Sequence, residues 1–76
     1  MWETAMPKFE IGIYNQAVID LQKQGKFHRE LDDSWAEVRY IELDAPNAQE
    51  AKRKAQVRYP VTKGFVITAV DEVQRD

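Results

Sequence analysis

Residues 47–60 place a helix start, an alanine-lined face and a helix stop within one short stretch. Asn47, with Glu50 three residues on, has the spacing of a capping box, with Asn in place of Ser or Thr. Ala48, Ala51, Ala55 and Tyr59 fall on one face of the helix that follows. Pro60 stops it, because proline disfavours helical geometry in the residue before it. A face made of alanine lets the helix axis lie close to a flat surface, with Tyr59 filling the far end. The flanking segments, WAEVRYIELDA before and GFVITAVDEV after, read as strands. The rest of the chain is therefore organised around a strand–helix–strand unit from Trp35 to Val73.

Strand two is expected at about 35–44, with Ala36, Val38 and Tyr40 on one side and Ile41 and Leu43 on the other. Its apolar phase changes near Tyr40, which predicts either a bulge there or partial cover on both faces. Strand three is expected at 65–71, with Phe65, Ile67 and Ala69 facing one way and Val66, Thr68 and Val70 the other. A strand apolar on both sides is covered on both sides.

Ahead of this unit, Phe9, Ile11 and Ile13 alternate with Glu10, Gly12 and Tyr14. Period two predicts a half-buried first strand with the larger apolar residues inward. Pro7 suits its start, and Gly12 marks either a bulge or the close approach of another backbone. Asn15 is placed to cap a short first helix. Ala17, Val18 and Leu21 give that helix a narrow apolar stripe, and Gly25 supplies a stop. Residues 26–34 are expected to form a loop, with Phe27 and Leu31 spaced to pack as a single helical turn.

The expected architecture is α+β: a β-α-β-α-β order with three strands in sheet order 2-1-3. Strand one lies between the other two and antiparallel to both, and helix two packs on one face, as in half of a ferredoxin-like fold. A parallel crossover through helix one is the competing arrangement. The 76 residues are expected to form one small domain, with 1–6 and 74–76 as loose tails. A chain of this length buries only about 60–65% of its unfolded surface, so self-association is a natural source of added stability.

Composition narrows the function classes. There is no Cys, which removes disulfides, thiol catalysis and Cys-based metal centres. The net charge is −2, from 11 basic and 13 acidic residues, which argues mildly against non-specific nucleic-acid binding. The segment MWETAMPKF lacks a basic region followed by an apolar core, so a cytoplasmic protein is expected. Gly12, Gly25 and Gly64 are isolated, so no phosphate-cradling loop is visible, and no nucleophile elbow appears. The expectation is a non-enzymatic protein without a cofactor.

Three constellations remain. His28 with Glu30, Asp32 and Asp33 has the donor types of a metal site, but one His at this spacing reads better as a solvated turn, and no metal is expected. Lys52, Arg53, Lys54 and Arg58 make a basic helix face suited to phosphate contacts. The alternative is a solvated face supported by a Glu50–Lys54 pair. Trp2, Tyr14, Trp35 and Tyr40 are candidate interface anchors, since aromatics dominate binding hot spots. The favoured function is a small interaction module that forms a homodimer through a sheet face or edge. A nucleic-acid-binding accessory protein using the helix-two cations is the alternative.

Overall fold

The computed structural model describes residues 6–73. Its elements run β1 (Lys8–Asn15), α1 (Gln16–Lys23), a 3-10 helix (Asp33–Ala36), β2 (Arg39–Asp44), α2 (Ala48–Arg58), a second 3-10 helix (Val61–Lys63) and β3 (Phe65–Glu72). The strands form one sheet in the order β2-β1-β3, with β1 antiparallel to both neighbours. β2 and β3 are thus parallel to each other with β1 between them. The competing parallel crossover through helix one is not adopted.

The inward residues of β1 carry the core. Phe9, Ile11 and Ile13 are buried, and Ala51 and Ala55 of α2 pack above them with no exposed surface. Burying each large side chain is worth roughly 1.5–3 kcal/mol. The alanine face works as its spacing predicts, except at its start, where Ala48 is exposed. Asn47 caps α2: its Oδ1 accepts from the Glu50 N–H at 2.9 Å. At the other end Tyr59 meets Trp35 and Phe65, with ring centroids 5.2–5.6 Å apart. Each such aromatic pair adds about 0.5–1.5 kcal/mol beyond its area.

Asn15 joins three elements and is completely buried. Its Oδ1 accepts from the Val18 N–H at 3.1 Å, capping α1, and its Nδ2 donates to the Lys63 carbonyl at 3.0 Å. The Gln16 N–H donates to the Gly64 carbonyl at 2.7 Å. Gly64 has φ +94, and a Cβ there would stand 2.8 Å from Asn15 Oδ1 and 2.9 Å from Ala17 Cβ. Both the backbone geometry and the crowding demand glycine at this position.

Several expectations are corrected. Strand two begins at Arg39 rather than near 35, because Asp33–Ala36 closes into a 3-10 turn in which the Trp35 N–H donates to the Asp32 carbonyl. β2 alternates without a bulge. The irregularity lies instead between β1 and β3, where the register shifts at Gly12/Ile13 and leaves Thr68 as an extra residue. The shift re-phases β3, so Val70 packs beside Ile67 on the covered face instead of joining Val66. Phe27 is 78% exposed and Leu31 packs on the core, so the two do not pair. Helix one leans on the first 3-10 turn and on β3 and leaves the second sheet face open: Tyr40 there is 63% exposed.

Two substitution pairs test this account by chemical denaturation. Asn15→Ala removes a cap and a buried bond to Lys63 and is expected to cost about 2 kcal/mol or more. The exposed cap lost in Asn47→Ala should cost less, roughly 0.5–2 kcal/mol. Ala51→Leu or Ala55→Leu is expected to overpack the helix–sheet contact by about 1–3 kcal/mol, while Ala48→Leu should be close to neutral.

Candidate functional site: the open sheet face and the β2 edge

Among the described residues the sheet has one face under α2 and one without a covering layer. The pairing of β1 with its neighbours sets the open face in cross-strand rows. Tyr14 lies opposite Val66, Gly12 opposite both Tyr40 and Ala69, and Glu10 opposite both Glu42 and Asp71. Val38 joins the first rows, since its Cγ1 would lie 3.4 Å from a Cβ built on Gly12. One half of the face is therefore apolar and aromatic, and the other half is a row of three carboxylates. Lys8 follows beyond that row, ion-paired with Asp44 at 3.4 Å.

Gly12 explains why the tyrosine can lie there. A Cβ at this position would stand 2.7 Å from Thr68 Oγ1 and 3.1 Å from the Tyr40 ring. Without a side chain at Gly12, the ring of Tyr40 covers the middle strand, and the Thr68 hydroxyl donates to the Gly12 carbonyl at 3.2 Å. An aromatic laid across a cross-strand glycine shields backbone that would otherwise be bare. Tyr40 still keeps 63% of its surface exposed, and Val38 keeps 41%. Tyr14 is half-buried, and its hydroxyl reaches Gln16 Oε1 at 3.4 Å.

Of the four aromatic candidates, the structure brings Tyr14 and Tyr40 together on this face. Trp35 does not join them. It sits on the covered side, packed on Tyr59 and Phe65, with the Arg39 guanidinium 4.4 Å above its ring. Arg39 also reaches the Asp32 carboxylate at 3.8 Å and the Ser34 hydroxyl, so this residue pins the 32–35 turn to β2. Trp2 lies outside the described residues. Gly12, Val38 and Val66 belong to the face as well. Gly12 carried a legible signal, because it falls in the outward phase of a strand where a large residue is usual.

Among the described residues the β2 edge is a second surface without a neighbouring strand. α2 packs mainly on β1 and β3, so β2 has no helix along its flank. Between them runs a groove of about 630 Å³ lined by Met6, Leu43, Arg53, Lys54, Val57 and Arg58, among others. Val57 is 78% exposed and Met6 49%. Neither Pro nor a bulge interrupts Arg39–Asp44; its protection from edge-to-edge pairing rests on the charges of Arg39, Glu42 and Asp44, which a partner strand must match. The opposite edge, β3, carries the bulge and ends in Asp71 and Glu72.

The basic face of α2 is exposed, but much of it is already engaged. Arg53 pairs with Glu50 at 3.6 Å, and Lys54 Nζ donates to the Asp44 carbonyl at 2.7 Å. The expected Glu50–Lys54 pair is thus replaced by Glu50–Arg53, one residue closer. Lys52 and Arg58 make no ion pair among the described residues.

His28 has a structural task. Its Nδ1 accepts from the N–H groups of both Glu30 and Leu31 at 3.0 Å, closing the turn that lets Leu31 reach the core. Among the described residues no group of His, Asp and Glu side chains is arranged to hold a metal ion, and no helix is long and apolar enough to cross a membrane.

No family model matches this sequence, and comparison with curated proteins and with solved structures finds no match either.

The role of His28 is open to a direct check. His28→Ala is expected to lower stability by about 1 kcal/mol through loss of the turn's acceptor. A chelator should leave the melting temperature of the parent protein unchanged. A melting temperature that falls on chelation would mean that a metal supports the fold.

Proposed function

We propose that this chain is a small non-enzymatic interaction module of the cytoplasm that self-associates into a homodimer. The observation that carries the reading is the pair of surfaces left unpartnered among the described residues: a tyrosine–valine face with Tyr40 63% exposed and a regular β2 edge beside the groove of Met6, Leu43 and Val57. A three-stranded sheet in this arrangement is half of a ferredoxin-like fold, and a second copy supplies the layer or strands that one half lacks. The same small size that leaves little margin in one core makes the added burial valuable.

The alternative is a nucleic-acid-binding accessory protein acting through Lys52, Arg53, Lys54 and Arg58. The exposure of that helix face supports it. Its weakness is that Arg53 and Lys54 already have partners and that the net charge is −2.

Sedimentation equilibrium at micromolar concentration tests the first reading, with a dimer mass expected at both low and high salt. A monomer mass overturns it. The alternative requires binding to DNA or RNA that weakens steeply as salt rises, since each phosphate contact releases counterions.

A further inference from the structure

We infer that the homodimer forms by antiparallel pairing of β2 with β2 of a second copy, with Ile41 at the two-fold axis, making one continuous six-stranded sheet. The inference rests on the self-association reading above and adds to it the surface and the register.

The size of the open face argues that it does not suffice alone. Its two apolar rows across three strands span about 14 by 14 Å, a footprint of roughly 200 Å² at about 4.8 Å between strands and about 3.4 Å per residue. A stable interface needs about 500 Å² from each partner. The next row, Glu10, Glu42 and Asp71, would meet its own copy or a dry surface if the faces were stacked. Pairing at the β2 edge instead leaves those carboxylates in water. It also joins the Tyr40 side of the sheet and the Leu43–Val57 groove on the other side into one contact.

The backbone of β2 is set for this. The Ala45 N–H donates to the Pro7 carbonyl, and hydrogen-bonding direction alternates along an antiparallel strand. Leu43, Ile41 and Arg39 therefore turn their backbone groups toward β1. Asp44, Glu42 and Tyr40 turn theirs outward; the Asp44 carbonyl already accepts from Lys54 Nζ, which leaves the groups of Glu42 and Tyr40 for a partner strand.

Side chains select the register. A two-fold pairing must keep open-face residues opposite open-face residues, because a one-residue slip would turn the second copy's core residues to solvent. Centring the axis on Glu42 sets two like charges against each other, which is destabilising. Centring it on Tyr40 shortens the ladder, since β2 begins at Arg39. Centring it on Ile41 sets Ile41 against its own copy and Tyr40 against Glu42. On the covered side Leu43 then faces Arg39, which lies over Trp35. This register has no like-charge pair and uses almost the whole strand.

The chain contains no Cys, so a single introduced cysteine reports one contact. Ile41 lies at a non-hydrogen-bonded position of the proposed ladder, where Cα atoms are about 4.5 Å apart, at the short end of disulfide range. Ile41→Cys is expected to oxidise in air to a disulfide-linked dimer at least about tenfold faster than Glu42→Cys or Tyr14→Cys, a gap set by the difference between paired and displaced positions. A non-oxidisable variant gives an independent reading. Glu42→Pro removes an outward N–H that β1 does not use, so its mass should fall to that of a monomer with the circular dichroism spectrum unchanged. A dimer mass for the parent protein, with faster cross-linking at Glu42→Cys or Tyr14→Cys, would overturn the edge register while leaving self-association standing. Persistence of the dimer in folded Glu42→Pro would overturn it too. A monomer mass for the parent protein would overturn both readings.

Discussion

The buried amide of Asn15 is the contact on which the rest of the structure depends. It ends β1, starts α1 and holds the turn that launches β3, using its oxygen toward Val18 and its nitrogen toward Lys63. A buried amide with both ends satisfied is stable; one with an end missing bears the full desolvation cost. The neighbouring Gly64 is shaped around it, with its positive φ and with no room for a Cβ. Because β3 must begin beside Asn15, its pairing with β1 starts at Phe65. That places Phe65 under Tyr59 and Trp35.

From that anchor the two sheet faces take different roles. Under α2, alanines bring the helix down onto Phe9, Ile11 and Ile13. On the opposite face the mirror-image economy occurs in the strand: Gly12 gives up its side chain so that Tyr40 and Thr68 can close over β1. The register shift beside Gly12 lets β3 return Val70 to the core while Thr68 and Ala69 stay on the open side. β2 follows a simple alternation, inward Ile41 and Leu43 and outward Tyr40 and Glu42, and among the described residues no strand pairs with its outer edge. The proposed dimer is the use to which that edge is put.

Much of the fold was legible in residue patterns. The alternation in β1, the cap at Asn47, the alanine positions 51 and 55 and the stop at Pro60 each report a local requirement of one element, and each appears where its pattern places it. The order 2-1-3 was also legible, because a strand between the two parallel arms of a split crossover can hydrogen-bond to both. The candidate site was half legible. Tyr14 and Tyr40 share a surface, but Trp35 does not, because three polar residues before it close a 3-10 turn that swings it to the covered side. Strand patterns do not carry that information: an aromatic beside a turn satisfies either face until the turn is formed.

What the sequence by itself determined are the features governed by neighbours in the chain: the two α-helices with their caps and stops, the alternation of β1, and which face of β1 is buried. Tertiary structure alone decided the features that need two distant segments at once. The bulge belongs to β3 rather than β2, because only the meeting of Thr68 with Gly12 creates it. Asn15 doubles as a cap and as a tie to Lys63, because a side-chain amide has a second end whose partner lies 48 residues away. Among the described residues the second face is open because the Asn15 tie and the Gln16–Gly64 bond fix the start of α1 beside the turn into β3, and α1 packs on the first 3-10 helix and β3 instead.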